Sequence, residues 1–376
     1  MDRARLHRLV RTVATGSRRG VLQAVAGAVL AGAPGMLNLD AAGAARSCKG
    51  CRRCGRKCCR GGKVCRGRRC VEPCSESTCG RFPAACSFFP DDNIWRAPIN
   101  ALPVHSESAH FVDSIGRDTG LHPDFGSEFL GKPIGIPFAS VTGSQKGVTI
   151  RFTEFGDESD LGPYPIPPDA PIEGGPCGEG DRHVLVVDED NCVLYELYHA
   201  RPRSDGGWDA GSGAIFNLNS NALRQKGITS ADAAGLPILP GLVQFEEVQA
   251  GMIAHAMRFT AEPTQAAFVW PARHKASNDT SSLLPPLGQR FKLKAEFDVG
   301  DFSPENQTIL NALKTYGMFL ADNGGDWFLS GVPDQRWDND DLHTLQTGVH
   351  GRDFEAVDCS SLLDDEDSGQ VKAPPP

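Results

Sequence analysis

The chain has 376 residues, with 38 Lys and Arg against 47 Asp and Glu and a formal charge of −9. A hydrophobic content of 40% and a charged content of 23% belong to a globular protein with a core. They exclude a wholly disordered, collagenous or multi-span membrane chain. The charge is uneven. Residues 1–45 hold six Arg and two Asp (+4), residues 46–90 twelve Lys/Arg and two Glu (+10), and residues 91–376 twenty Lys/Arg and forty-three Asp/Glu (−23). An acidic body therefore follows a basic head, and the two are expected to have different partners.

Residues 1–45 read as an export signal. Ser17-Arg18-Arg19-Gly20-Val21-Leu22 resembles a twin-arginine signal, a weakly apolar Ala/Gly-rich run extends from Val21 to Leu37, and Ala42-Gly43-Ala44 fits a small-residue cleavage site. The apolar run is too short, and too broken by Pro34 and glycines, for a spanning helix. The expected location is outside a bacterial cell, secreted or on its surface, with no transmembrane segment in the mature chain.

Residues 46–86 hold ten of the thirteen cysteines and few apolar side chains. Such a segment needs staples in place of a core. Cys48, Cys51, Cys54 and Cys58 are spaced like half of a bacterial ferredoxin, but Cys59 stands where Pro usually follows and the later cysteines do not repeat the spacing. Zinc without histidine and an iron–sulfur cluster are the alternatives. A disulfide-knotted module suits an exported chain best. Eleven Lys/Arg between Arg46 and Arg69 with no acid among them suit contact with polyanions by residues 46–70. No aromatic interleaves them, so specific nucleic-acid binding is not indicated. Thirteen is odd, so one thiol is left over. A Cys86–Cys359 bridge would tie the ends of the main domain together, and Cys192 reads as a buried thiol.

The main domain is expected over 87–359, mainly β with a few helices, as a β-sandwich or jelly-roll-like body. Strands are predicted at Val148–Phe155, His183–Asp188, Cys192–His199, Gly213–Leu218, Met252–Thr260, Ala266–Trp270, Arg290–Val299, Met318–Asp322 and Asp326–Ser330. A helix is predicted from Ser303, as cap, to Gly317, with Ile309, Leu310, Leu313 and Tyr316 as its apolar stripe. Weaker helical patterns lie at Leu242–Ala250 and Asn339–Leu345. The proline-rich stretch Gly162–Gly178 is a long loop of the kind that is functional or well packed. Residues 360–376, acidic and then Pro-rich, read as a disordered tail.

The strings R-H-V-L-V-V-D, C-V-L-Y-E-L-Y, A-G-L-P-I-L-P-G-L, V-W-P-A-R-H, L-K-T-Y-G-M-F-L-A-D-N-G and R-W-D-N-D resemble a family of exported bacterial proteins with no settled activity. The resemblance implies export and domain limits, and carries no catalytic residue.

No P-loop, GxGxxG, G-x-S-x-G or H-E-x-x-H is present, which lowers nucleotide enzymes, Rossmann enzymes, α/β hydrolases and common zinc proteases. Chemistry then falls to scattered His and carboxylates. A two-residue loop at Glu189-Asp190 would set His183 opposite Glu196, an acid–base pair amid apolar neighbours. A three-residue loop at Asn323-Gly324-Gly325 would set Asp322 opposite Asp326, two carboxylates of the kind glycoside hydrolysis uses. The bland alternatives are a satisfied buried hydrogen bond and a pair of turn caps. Trp270, Arg273 and His274 at a strand end, and Trp327 beside the second turn, are candidate substrate contacts. Asp338 and Asp340 offer oxygen ligands for calcium, or an acidic helix start; no other cofactor is indicated. The expected function is an exported carbohydrate-active enzyme, a polysaccharide hydrolase or lyase working by carboxylate and His acid–base chemistry. The alternative is a non-catalytic glycan- or wall-binding surface protein anchored by the basic head.

Overall fold

A computed structural model describes residues 82–372, except 84, 85, 130, 131 and 177, and four short strands nearer the N-terminus. Those four form two antiparallel ribbons, Arg53–Cys54 with Lys57–Cys58 and Val64–Arg66 with Arg69–Val71. The export signal and, apart from Cys86, the cysteine chemistry of the head lie outside the described residues. Among the described residues no helix is long and apolar enough to cross a membrane.

The elements used below are, in chain order, α1 (Ser108–Ile115), β1 (His122–Asp124), β2 (Phe138–Val141), β3 (Ile150–Phe152), β4 (Val184–Asp188), β5 (Val193–Tyr198), β6 (Arg201–Pro202), β7 (Trp208–Ala210), β8 (Ser212–Asn217), α2 (Phe245–Gln249), β9 (Met257–Ala261), β10 (Arg290–Leu293), α3 (Pro304–Thr315), β11 (Met318–Asn323), β12 (Phe328–Ser330), α4 (Asn339–Gly348) and β13 (Phe354–Val357). The domain is mainly β with few helices, as its composition of short β-branched and aromatic runs predicts. Ala266–Trp270 forms no strand and contributes only a bridge between Phe268 and Leu287.

The central sheet runs β8-β5-β4-β2 and the largest β13-β10-β11-β9-β12-β1, with a smaller β6-β7-β3 sheet beside them. Both large sheets are mixed. β4 pairs β2 in parallel, as β9 pairs β11 and β12 pairs β1, whereas jelly-roll strands pair antiparallel. The central sheet is buried on both faces. Leu185, Val187, Leu194 and Phe216 share one core with Phe259, Phe291 and Leu320 of the largest sheet. Val184, Val186 and Leu197 share a second core with Tyr164 and Trp208. This explains why H-V-L-V-V-D is apolar at consecutive positions instead of alternating.

Helix α3 forms where expected. The Ser303 side chain caps the Asn306 amide, Pro304 takes the first position, and Ile309, Leu310 and Leu313 are buried. Gly317 ends it at φ 65°, where a Cβ would lie 2.2 Å from the Phe291 carbonyl oxygen, so only glycine fits.

Two expectations about the chain ends are corrected. Cys86 bonds Cys192, not Cys359 (S–S 2.07 Å), because Cys192 sits in the β4–β5 loop against the segment carrying Cys86. Cys192 is therefore bridged, and Cys359 remains a thiol. The tail, read as disordered, packs on the body through residue 372. Ile94 donates to the Gly369 carbonyl, Leu223 to Asp367 and Val371 to Asp92.

Candidate functional site

Between the central and largest sheets lies a cluster of charged side chains drawn from five distant parts of the chain. His183 immediately precedes β4 and is buried. Its Nδ1 is 2.8 Å from Glu173 Oε2 and its Nε2 is 3.2 Å from the Ala231 carbonyl oxygen. Both neighbours are acceptors, so both ring nitrogens must donate, which only the imidazolium can do. Burial pushes this imidazole down, but the Glu173 carboxylate more than offsets it and holds the group at about 9.

Arg258 is the one charged residue of the fully buried strand β9, Met257–Ala261. Its guanidinium grips Asp232 in a fork, with Nε to Oδ2 at 2.8 Å and Nη2 to Oδ1 at 2.6 Å, and reaches Ser330 Oγ at 2.5 Å with Nη1. Asp232 is wholly buried, in a turn where Ser230 Oγ accepts from the Asp232 amide and donates to the Leu236 carbonyl. The fork geometry is the reason for Arg and not Lys at this position.

Asp322 stands near the end of β11. Phe259 pairs with Leu320 and Thr260 with Asp322, so the register skips Ala321. This bulge re-aims the strand end. Asp322 is partly exposed. Desolvation and then the Asp232 carboxylate push it well above the usual carboxylate range, against the pull of Arg258. Tyr198, at the end of β5, is raised by burial and by the fields of Asp181, Glu154, Asp322 and Glu173. Asp322 and Glu173 both act on Arg258 as well. Glu173, Asp181, Tyr198 and Asp322 are partly exposed, whereas the cationic His183 and Arg258 are buried. A carboxyl raised by burial, in the field of an ion-paired carboxylate, is an acid–base arrangement, because the two environments push the affinities for a proton apart.

The structure brings His183, Glu196 and Asp322 into one neighbourhood, but not as predicted. The β4–β5 loop has four residues, so Leu185, not His183, lies opposite Glu196. Glu196 is 0% exposed. Its carboxylate accepts from the Ile238 amide at 2.9 and 3.0 Å and from the Leu239 amide at 2.9 Å, at the start of a short 3-10 turn. Burial pushes Glu196 up to about 7, with the Leu239 and Ile238 amides and His183 pulling it back. No substrate can reach it, and it acts by anchoring Leu239–Gly241. Glu196→Ala is expected to leave two buried amides without acceptors and a cavity, lowering stability by about 2–4 kcal/mol. Glu196→Gln keeps one acceptor oxygen and is expected to lose less than half as much. Urea midpoints of the two variants check this.

Asp326 is not brought in. Strand β9 lies between β11 and β12, so Asn323-Gly324-Gly325 closes no hairpin and Asp322 does not face Asp326. Asp326 instead accepts from the Glu262 amide at 2.8 Å, and burial raises it to about 6.

The expected substrate contacts Trp327, Trp270, Arg273 and His274 each have partners within the fold. Trp327 is 0% exposed, stacked between Phe259 and Phe354, with Nε1 donating to the Gly116 carbonyl; it offers no face to a sugar. Trp270 is partly exposed, and its Nε1 donates to the Ser368 carbonyl. Arg273 is buried and pins the tail through Asp367 and the Glu366 carbonyl. His274 Nδ1 donates to the Ala233 carbonyl at 2.9 Å. Asp338 Oδ1 accepts from the Asp340 and Asp341 amides as the cap of α4, and among the described residues no group of three or more potential ligands is placed to hold a metal.

Sequence reasoning missed Glu173, Asp181, Tyr198, Asp232 and Arg258. Glu173 falls in the long proline-rich loop Gly162–Gly178. Arg258 carried the clearest signal, the one charged residue in the strand Met-Arg-Phe-Thr-Ala. No family model, curated protein or solved structure matches this chain.

Proposed function

We propose that the chain is an exported carbohydrate-active enzyme, a hydrolase or lyase, whose acid is Asp322 and whose second carboxylate is Glu173, held by His183. The observation carrying this reading is that a partly exposed Asp322, raised by desolvation, and a partly exposed Glu173, ion-paired to His183, both act on the buried Arg258. Such a pair can donate a proton to a leaving oxygen and stabilise or accept on the other side. Asp181 and Tyr198 would contact the bound chain. Export is supported by the signal-like first forty-five residues and by the Cys86–Cys192 bridge, since disulfides persist in oxidising compartments. The two mixed sheets would act as the sandwich-like scaffold, and the resemblance to exported bacterial proteins points the same way.

The test is a product screen. The whole chain is incubated with a panel of plant, fungal and bacterial polysaccharides, and new chain ends are sought by mass spectrometry. Wild type is expected to release ends, and Asp322→Asn and Glu173→Gln each to lose about 100-fold or more in rate while keeping wild-type far-ultraviolet dichroism. Cleavage unchanged in both variants would discard this pair. No cleavage, with retention on one polymer, would replace the reading by the glycan-binding one.

A further inference from the structure

A cavity of about 350 Å³ lies away from the carboxylate cluster, beside the last residues of β8 and the loop that follows. We propose that it is a separate binding site for a neutral polyhydroxylated ring, one or two sugar residues in size.

Three features of its walls support this. The first is its apolar lining, which includes Phe89, Phe216 and Leu223. Phe89 and Phe216 are buried and the Arg224 guanidinium lies 5.8 Å from the Phe216 ring centroid, so packing holds this lining in place before a ligand arrives. The second is its polar lining, which includes Asp160, Asn217 and Ser220. Asp160 remains 41% exposed and Asn217 is exposed; Asn217 Oδ1 and Ser220 Oγ accept from the Asn219 and Ala222 amides, which leaves the Asn217 amide group and the Ser220 hydroxyl as donors. A pyranose has this same division, with C–H groups on its faces and hydroxyls at its edge.

The third feature is charge. Arg224 is 7% exposed at its side chain and fully committed. Nη1 bonds Asp160, Nη2 donates to the Glu158 carbonyl and Nε to the Thr229 carbonyl. Asp160 also accepts from the Ile215 amide through Oδ2. The cation and the anion of the cavity neutralise each other, and an anionic ligand would find no uncommitted positive group here. The volume is at the small end for ligand sites, which limits the occupant to one or two rings. The loop is held in shape by the tail, through the Leu223 amide to the Asp367 carbonyl and the Ala222–Ser368 bridge.

The experiment is saturation-transfer NMR on the whole chain with glucose, xylose, N-acetylglucosamine, cellobiose and, as charged probes, glucuronate and inorganic phosphate. Neutral sugars are expected to show transfer and the charged probes none. Ala222 is exposed and lines the cavity, so Ala222→Trp is expected to fill it from outside, weakening binding about tenfold or more with an unchanged melting temperature. Asn217→Ala provides a second variant that leaves the core untouched, with the same direction expected. Asp322→Asn is expected to bind as wild type, which separates this site from the proposed catalytic one. Transfer to none of the sugars, binding indifferent to both cavity variants, or stronger binding of the charged probes would overturn the proposal.

Discussion

Arg258→Met is expected to destabilise the fold by about 3–5 kcal/mol, the usual loss when one partner of a buried ion pair is removed. Asp232 is 0% exposed and Arg258 2%, so the carboxylate left behind has no route to water. Two charge-assisted hydrogen bonds to Asp232 and one to Ser330 vanish together. The methionine fills most of the aliphatic volume, so the loss reports the charge and not a void. Asp232→Asn combined with Arg258→Met is expected to recover part of the stability, because neither charge then remains buried. Urea unfolding of the single and double variants measures this. A loss below about 1 kcal/mol in Arg258→Met would mean that Asp232 is hydrated in solution and that the cluster is open deeper than the structure indicates.

The second expected result is a fold most stable near about pH 5 that weakens steadily to about pH 9. The sign follows from the direction of each shift. Glu196 is raised to about 7, so the folded state holds this proton more tightly than the unfolded chain does. Its burial becomes a penalty as pH rises from the ordinary carboxylate range to 7. Asp322, also raised, acts in the same direction. His183 is raised to about 9, so its ion pair with Glu173 contributes fully below its ordinary value of 6.5 and is lost as pH rises through 9. At ~1.4 kcal/mol per pKa unit, Glu196 and His183 each contribute about 3 kcal/mol as upper bounds. Below the maximum the direction reverses, since Asp334, held low by Arg336, and Asp358, held low by the Ser360 amide and hydroxyl, lose their interactions when protonated. Urea midpoints across the range should fall from mildly acid to mildly alkaline pH. His183→Gln should flatten the limb between about 6.5 and 9. A flat profile in the wild type would show that the His183–Glu173 pair is solvated.

The disagreement between expected and observed sites has one physical origin. Strands that are neighbours in sequence need not pair with each other. The β4–β5 hairpin does pair so, but its turn has four residues in place of two, and the partner of Glu196 changed from His183 to Leu185. At Asn323-Gly324-Gly325 the two strands do not pair, because β9 enters between them. A turn signal records local backbone preference and is silent about a third strand from sixty residues upstream. Trp327 stands near a turn yet stacks in the core, since burial of an aromatic is decided by what packs above it.

Local signals by themselves determined the uneven charge, the mainly β character and helix α3 with its Ser303 cap and Gly317 end, together with strands β4, β5, β8 and β11 to within a residue or two. These depend on periodicity, capping and backbone freedom, which act over a few positions. Only the tertiary structure decided that Cys86 bonds Cys192, that the acidic tail packs against the body through Arg273, and that Glu173 bonds His183 while Arg258 grips Asp232. Those contacts join residues that are 10 to 106 positions apart. Their formation depends on strand order and register between sheets, which follow from how whole faces bury one another and leave no mark within any short window of residues.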